Sequence, residues 1–215
     1  VSHELKTPLH SISGCAELMK NGIVRQEDIP RFSGQIYSEA QRMIRLVDDI
    51  IRLSRLDEGS DAMRFERLDL YESAAATVKN LEDAAGRAGV EISLQGGPAF
   101  VMGVPQLLSG IIFNLCDNAI KYNRNGGKVF VSVLEKEGRA ELSVRDTGIG
   151  ISPEHQDRIF ERFYRVDKSH SQEVGGTGLG LSIVKHAARL HKAEIKLESS
   201  PGEGSCFTVL FPAAD

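Results

Sequence analysis

Tryptophan is absent from this chain of 215 residues, cysteine occurs three times, and aromatic residues make up only 6%. Cys15, Cys116 and Cys206 are too few and too widely spaced for a disulfide framework or a zinc site, so they read as reduced structural thiols. No apolar run approaches the roughly 18 residues of a membrane-spanning helix, and no secretory signal is visible. Positive charge is not in excess either: 26 Lys and Arg stand against 30 Asp and Glu, a formal net charge of −4. There is thus no overall basic field to grip nucleic acid, and protein or nucleotide partners are expected. The balance of 41% hydrophobic and 26% charged residues excludes disorder and suits one or two globular domains. The chain opens on Val1 with a histidine of interest already at position 3, which gives the expectation of a fragment of a longer protein.

What is present, first of all, is a pair of apolar stripes. Leu5, Leu9, Ile12, Ala16, Met19 and Ile23 alternate spacings of four and three, which keeps them on one face of a helix. Asn21-Gly22 marks its break. A second stripe begins at Ile29 or Phe32 and continues through Ile36, Ala40, Met43, Val47, Ile50 and Ser54, widened by Ile44 and Ile51. Two such helices form an antiparallel hairpin, yet each covers only part of the other's wide apolar face. Pairing of two hairpins into a four-helix bundle would bury the remainder, so a homodimer through residues 1–57 is expected. A hairpin packed on its own downstream domain is the competing arrangement. Leu56-Asp57-Glu58-Gly59-Ser60 reads as the end of the second helix, dividing the chain into 1–60 and 61–215.

His3 precedes the first stripe by two residues and is expected to face solvent, where another domain can reach it. Pro8 removes an N–H and crowds the preceding turn, so a bend is expected one turn after His3. A neutral imidazole is a competent nucleophile near neutral pH, and Glu4 beside it can orient the tautomer. Thr7, one turn on, can position a water. On an isolated helix a solvent-facing histidine is most often plain surface, and His10 is read that way.

Beyond residue 65, helical and strand-like segments alternate. Helices are expected over 70–88, 104–122 and 179–190, and strands over 90–94, 99–102, 128–135, 139–145, 194–198 and 205–211. A layer of helices on one face of a mixed sheet follows, an α/β sandwich. Asn114, Asn118 and Lys121 share one helix face, while Ile111, Leu115 and Ala119 serve the core. Amides repeated at this spacing suit oxygen-rich chemistry: Asn118 can hold magnesium through its carbonyl oxygen, and Lys121 can neutralise phosphate charge. Asp146-Thr147-Gly148-Ile149-Gly150 follows a hydrophobic strand, which places Asp146 at its end, able to accept from an exocyclic amine. Gly176, Gly178 and Gly180 let the backbone close on phosphates at the start of a helix whose N–H groups favour anions. No Gly-Lys-Ser/Thr follows, and no strand immediately precedes, so neither the Walker nor the dinucleotide pattern applies. Between these motifs, 151–178 is long and polar, a functional or mobile loop carrying Arg158, Arg162, Arg165, Lys168 and the aromatics Phe160, Phe163 and Tyr164. Alone, each motif has an ordinary reading: a solvated face, a turn, packing aromatics.

Together and in this order, His3-Glu4-Leu5-Lys6-Thr7-Pro8, the Asn114-to-Tyr122 row, Asp146 to Gly150, the Phe160/Phe163/Tyr164 group and the Gly175-to-Leu181 turn resemble the catalytic core of sensor histidine kinases of two-component signalling. The resemblance covers nearly the whole chain and departs at no defining residue. It implies a hairpin forming a dimeric four-helix bundle, then an α/β sandwich ATP-binding domain of Bergerat type. It implies ATP with Mg²⁺, phosphorylation of His3 on Nε2 with Glu4 taking the proton, and transfer to an aspartate of a response-regulator receiver domain. Glu4 and Thr7 are implied in dephosphorylating that partner. Asn114 and Asn118 are implied as metal ligands, Lys121 and Tyr122 as nucleotide contacts, and Asp146, with Gly148 and Gly150, as the reader of the adenine amino group, which favours ATP over GTP. Gly176, Thr177, Gly178, Leu179 and Gly180 are implied at the phosphates, and either Arg162 or Arg165 at the γ-phosphate. It further implies a cytoplasmic domain of a protein anchored in the bacterial inner or cell membrane.

Two other classes compete. A non-catalytic dimeric scaffold would control its partner by contact, but the intact Asn118, Asp146 and glycine set argues against it. A conformational ATPase of the wider superfamily would share the Asn and Asp-x-Gly-x-Gly motifs without the His-Glu-x-x-Thr-Pro helix.

Overall fold

The computed structural model describes residues 2–57, 63–166 and 176–214, with the side chains of Ser2, His3, Arg55 and Asp57 outside that description. Helix α1 (Ser2–Lys20) runs through Pro8 and ends where Gly22 takes φ +67°. A single 3-10 turn, Gln26–Asp28, leads into α2 (Ile29–Asp57). The two helices pack on each other as the stripes require. None of the described helices is long and apolar enough to cross a membrane. The residues at the expected boundary, Gly59, Ser60 and Asp61, lie outside the described residues.

From Met63 onward the chain builds the sandwich. Strand β1 (Glu66–Asp69) pairs antiparallel with β3 (Phe100–Gly103). The main sheet has the order β2-β4-β5-β7-β6, from β2 (Glu91–Gly96), β4 (Lys128–Lys136), β5 (Arg139–Asp146), β7 (Gly204–Pro212) and β6 (Glu194–Ser200). Only β2 and β4 are parallel, and they need the crossover through β3 and helix α4 (Pro105–Lys121). Helix α3 (Leu70–Arg87) is capped by the Asp69 carboxylate, which accepts the Tyr71 N–H at 2.9 Å. A short helix, α5 (Pro153–Gln156), interrupts the expected long loop, and α6 (Gly180–Leu190) follows the glycine turn. Four-residue β1 and α5 escaped the sequence reading because neither is long enough to show a period.

Period-2 alternation puts Val129, Val131, Val133, Leu142, Val144, Phe207, Val209 and Phe211 on one face, where α3, α4 and α6 cover them. Ile111, Leu115 and Ala119 are buried there, as their spacing predicts.

A second, smaller core joins the hairpin to this domain. Leu46, Leu53 and Leu56 of α2 are buried against Leu179 and Ile183, with Leu5, Ile50 and Phe163 around them. At about 1.5–3 kcal/mol for each fully buried aliphatic side chain, this seam outweighs any single hydrogen bond across it, worth about 1 kcal/mol. The competing arrangement, a hairpin on its own downstream domain, is therefore realised on this side of α2. It uses leucines outside the expected stripe. By the 3.6-residue period, Ile44, Val47 and Ile51 lie on the opposite side and stay exposed, as do Leu9 and Ile23 of α1.

Candidate nucleotide and phosphoacceptor site

The motifs separated in sequence converge at one end of the sheet, and the glycines do the joining. At Gly180, a Cβ would stand 2.7 Å from Asn114 Oδ1. The Asn114 amide donates through Nδ2 to the Gly110 carbonyl at 2.8 Å, which turns its oxygen toward the glycine turn. A Cβ at Gly148 would stand 2.3 Å from the Tyr122 carbonyl, and the Ile149 N–H donates to that same carbonyl at 3.1 Å. Gly176 lies beside the Tyr122 hydroxyl. Gly178, at φ +74°, accepts the Phe163 N–H at 2.9 Å. Phe163 itself has φ +64°, an expensive conformation for an aromatic residue, held by that bond and by packing into the hairpin seam.

Asp146 ends β5 and is buried. Its Oδ1 accepts the N–H groups of Gly148 at 2.8 Å and Ser205 at 3.3 Å, so Oδ2 is the oxygen left for a ligand. Burial raises its pKa above the ordinary carboxylate value, and the two N–H groups oppose that rise. Arg124, which the motif reading passed over, donates through Nη2 to the carbonyls of Gly148 and Gly202 and so braces this loop against the β6–β7 turn.

Lys121 is paired with Asp117 one turn earlier, and Asn118 is half-buried beside it. Burial raises the Tyr122 phenol pKa, opposed by Arg165. The two candidate arginines differ. Arg162 is exposed, its Nη2 lying 3.3 Å from His186 Nε2. Arg165 holds Nε and Nη2 buried without a hydrogen-bond partner among the described residues. Burial and the nearby Arg42 push its pKa down, while Tyr122 and Glu4 oppose them. Unmet guanidinium donors of this kind are unfavourable unless a ligand completes them.

The aromatic group divides its labour. Phe160 meets Phe207 edge-on at 6.3 Å in the main core, and the Tyr164 hydroxyl lies 2.7 Å from His155 Nδ1. Gly175, Lys168 and the polar residues 169–172 lie outside the described residues.

On the hairpin, His3 falls in the first turn of α1, and its expected exposure lies outside the described side chains. Glu4 is half-buried and Thr7 exposed. Leu5 touches the seam with Leu179 and Ile183, so the first turn of α1 lies near the glycine turn. Thr177 spans that gap: its hydroxyl donates to Asp49 Oδ2 at 2.7 Å and accepts the Leu179 N–H at 3.3 Å. Burial raises the pKa of Asp49, opposed by Thr177 and Arg52. Nothing in the local spacing of α2 marked Asp49, because its partner is far away in sequence.

A glycine turn opening a helix on an α/β sandwich, packed against a helical hairpin with a histidine box, is the arrangement of a two-component sensor histidine kinase core. The chain belongs to the histidine kinase-, DNA gyrase B- and HSP90-like ATPase family, whose model matches residues 103–215, and residues 1–59 match the His Kinase A (phospho-acceptor) domain. It is 38% identical over 213 residues to the sensor-like histidine kinase SenX3 of Mycolicibacterium smegmatis, covering 99% of this chain and 56% of the relative. It is 40% identical over 221 residues to the phosphate regulon sensor protein PhoR of Pseudomonas aeruginosa, covering all of this chain and 49% of PhoR. The chain thus spans about half the length of the curated relatives it matches. Its fold matches that of histidine kinase ThkA, solved in complex with the response regulator protein TrrA, at a TM-score of 0.78. The match to ThkA has 21% identity and covers 100% of this chain and 60% of that one.

Proposed function

We propose that the chain is the kinase core of a dimeric sensor histidine kinase, in which residues 61–215 bind Mg²⁺-ATP and residues 1–60 carry the phosphoacceptor His3. The observation that carries this reading is the convergence of the Asn, Asp-Gly and Gly motifs through the contacts of Gly180 with Asn114 and Gly148 with Tyr122. In this reading Asp146 Oδ2 accepts the exocyclic amine of adenine. Guanine would present a carbonyl there, acceptor against acceptor. Gly176, Thr177, Gly178, Leu179 and Gly180 cradle the phosphates, and Lys121 and the Tyr122 hydroxyl flank them.

Among the described residues no group of three His, Cys, Asp or Glu side chains could hold a metal alone. The residues present fit magnesium, which the amide oxygens of Asn118 and Asn114 would hold. Magnesium supplies charge neutralisation on the phosphates. Arg165, with its unmet donors, is assigned to the γ-phosphate in preference to Arg162. His3 Nε2 attacks the γ-phosphorus, the bond to the bridging oxygen breaks, ADP leaves, and Glu4 receives the Nδ1 proton. Positioning and charge stabilisation supply the catalysis.

The exposed row Leu9, Ile44, Val47 and Ile51 supports a homodimer through residues 1–57. The likeness to PhoR and to ThkA, the latter solved with a response regulator, supports a receiver-domain aspartate as the next acceptor, with Glu4 and Thr7 acting in its dephosphorylation. Membrane anchoring of the whole protein belongs to the same reading. Incubation with Mg²⁺ and γ-labelled ATP should yield acid-labile, base-stable label that is absent from His3→Gln. Label retained in that variant would remove His3 from the reaction.

A further inference from the structure

The Thr177 hydroxyl belongs to the glycine turn, yet it donates to a carboxylate of the hairpin. Through Thr177, which also takes the Leu179 N–H, the Asp49 charge is held at the opening of α6, where backbone N–H groups attract anions. The leucine seam clamps the same two elements together on either side of this bond, Leu46 and Leu53 flanking Asp49 in sequence and Leu179 and Ile183 following Thr177. We propose that Asp49 is an internal competitor of the nucleotide's phosphates, an autoinhibitory latch that occupies the glycine turn while α6 is seated on α2. This rests on the nucleotide-binding reading above and adds to it a regulatory residue on the hairpin.

The physical reason is like-charge exclusion. A triphosphate entering the turn would take the Thr177 hydroxyl and bring negative charge against Asp49 in a half-buried setting. Nucleotide and latch therefore oppose each other, and by linkage each weakens the other by the same factor. Any movement of α2 that withdraws Asp49 would raise nucleotide affinity, which gives the hairpin a means of controlling the distant domain. Asp48, the exposed neighbour, serves as a charge control.

The test is a titration of this chain with a fluorescent N-methylanthraniloyl-ADP, comparing wild type, Asp49→Asn, Asp49→Ala and Asp48→Asn, together with amide exchange in the absence of nucleotide. Both Asp49 variants should bind roughly tenfold more tightly, as expected for losing one charge-assisted contact, and Asp48→Asn should match wild type. Exchange at 179–183 and 46–53 should quicken in both Asp49 variants, and adding ADP to wild type should quicken 46–53 as well. Unchanged or weaker binding in both Asp49 variants overturns the latch while leaving the nucleotide reading intact. Failure of every form to bind, with helical circular dichroism preserved, overturns the nucleotide reading and the latch with it.

Discussion

His191 Nε2 accepts the Val104 N–H at 3.0 Å while its Nδ1–H donates to the Ala187 carbonyl at 2.7 Å, so one neutral imidazole ties the end of α6 to the start of α4. The ring is buried, 5.2 Å from Phe65 and 6.2 Å from Phe211 between centroids. Burial pushes its pKa below the ordinary histidine value, and the Ala187 bond opposes this only in part. The depressed pKa means that the unfolded chain binds a proton more readily. This group's stabilisation is therefore complete above about pH 6.5, the unfolded value, and is lost as pH falls toward the folded one. Urea unfolding at pH values from about 8 down to about 5 should show this slope. His191→Phe should lose about 1–3 kcal/mol at neutral pH, from the unpaired Val104 N–H, and should flatten the slope.

Gly150 and Gly202 both have positive φ, +70° and +83°, but their surroundings differ. A Cβ on Gly150 would stand 1.9 Å from the Ser200 carbonyl oxygen, whereas on Gly202 it would meet nothing within 4 Å. Gly202→Ala should therefore cost only the backbone term, about 1 kcal/mol, and Gly150→Ala at least about 2 kcal/mol more as backbone is pushed aside. Thermal unfolding of the two variants checks the ranking, and equal losses would refute it.

Asp146→Asn keeps an oxygen for the Gly148 and Ser205 N–H groups but can place an amide where Oδ2 stood. Adenine nucleotide affinity should fall about 10–100-fold, and guanine nucleotide should gain relative to it, because a donor now faces the guanine carbonyl. Competition titrations with ADP and GDP read both changes. Loss of affinity for both nucleotides alike would place Asp146 in support of the loop alone.

Ile44 and Ile51 are exposed on the side of α2 away from the catalytic domain. Ile44→Asp with Ile51→Asp should convert a dimer to a monomer in sedimentation equilibrium, leaving the unfolding of the α/β domain unchanged. A dimer that survives both changes would move the interface elsewhere.

The motif residues were legible because each depends on local chemistry. The 4-3 spacing made α1 and α2 visible, and Asn21-Gly22 marked the end of α1, where Gly22 takes positive φ. The row Asn114, Asn118 and Lys121 was separable from Ile111, Leu115 and Ala119 by helical period alone. The difference between Arg162 and Arg165 was not legible, since both are arginines in one polar stretch and only burial separates them. Arg124 and His191 were missed for a similar reason: each acts on a carbonyl or N–H group that carries no side-chain signature.

The sequence by itself determined the elements, the order of the motifs and the chemistry each can offer, because periodicity and turn residues act over a few positions. It also determined that α2 has more apolar surface than one partner helix can cover. Only the tertiary structure decided how that surface is shared. Leu46, Leu53 and Leu56 hold the catalytic domain, Ile44, Val47 and Ile51 stay exposed, and Asp49 meets Thr177 across 128 positions of sequence. The choice depends on the shape and charge of two surfaces that meet only after each has folded, and no local pattern encodes that meeting.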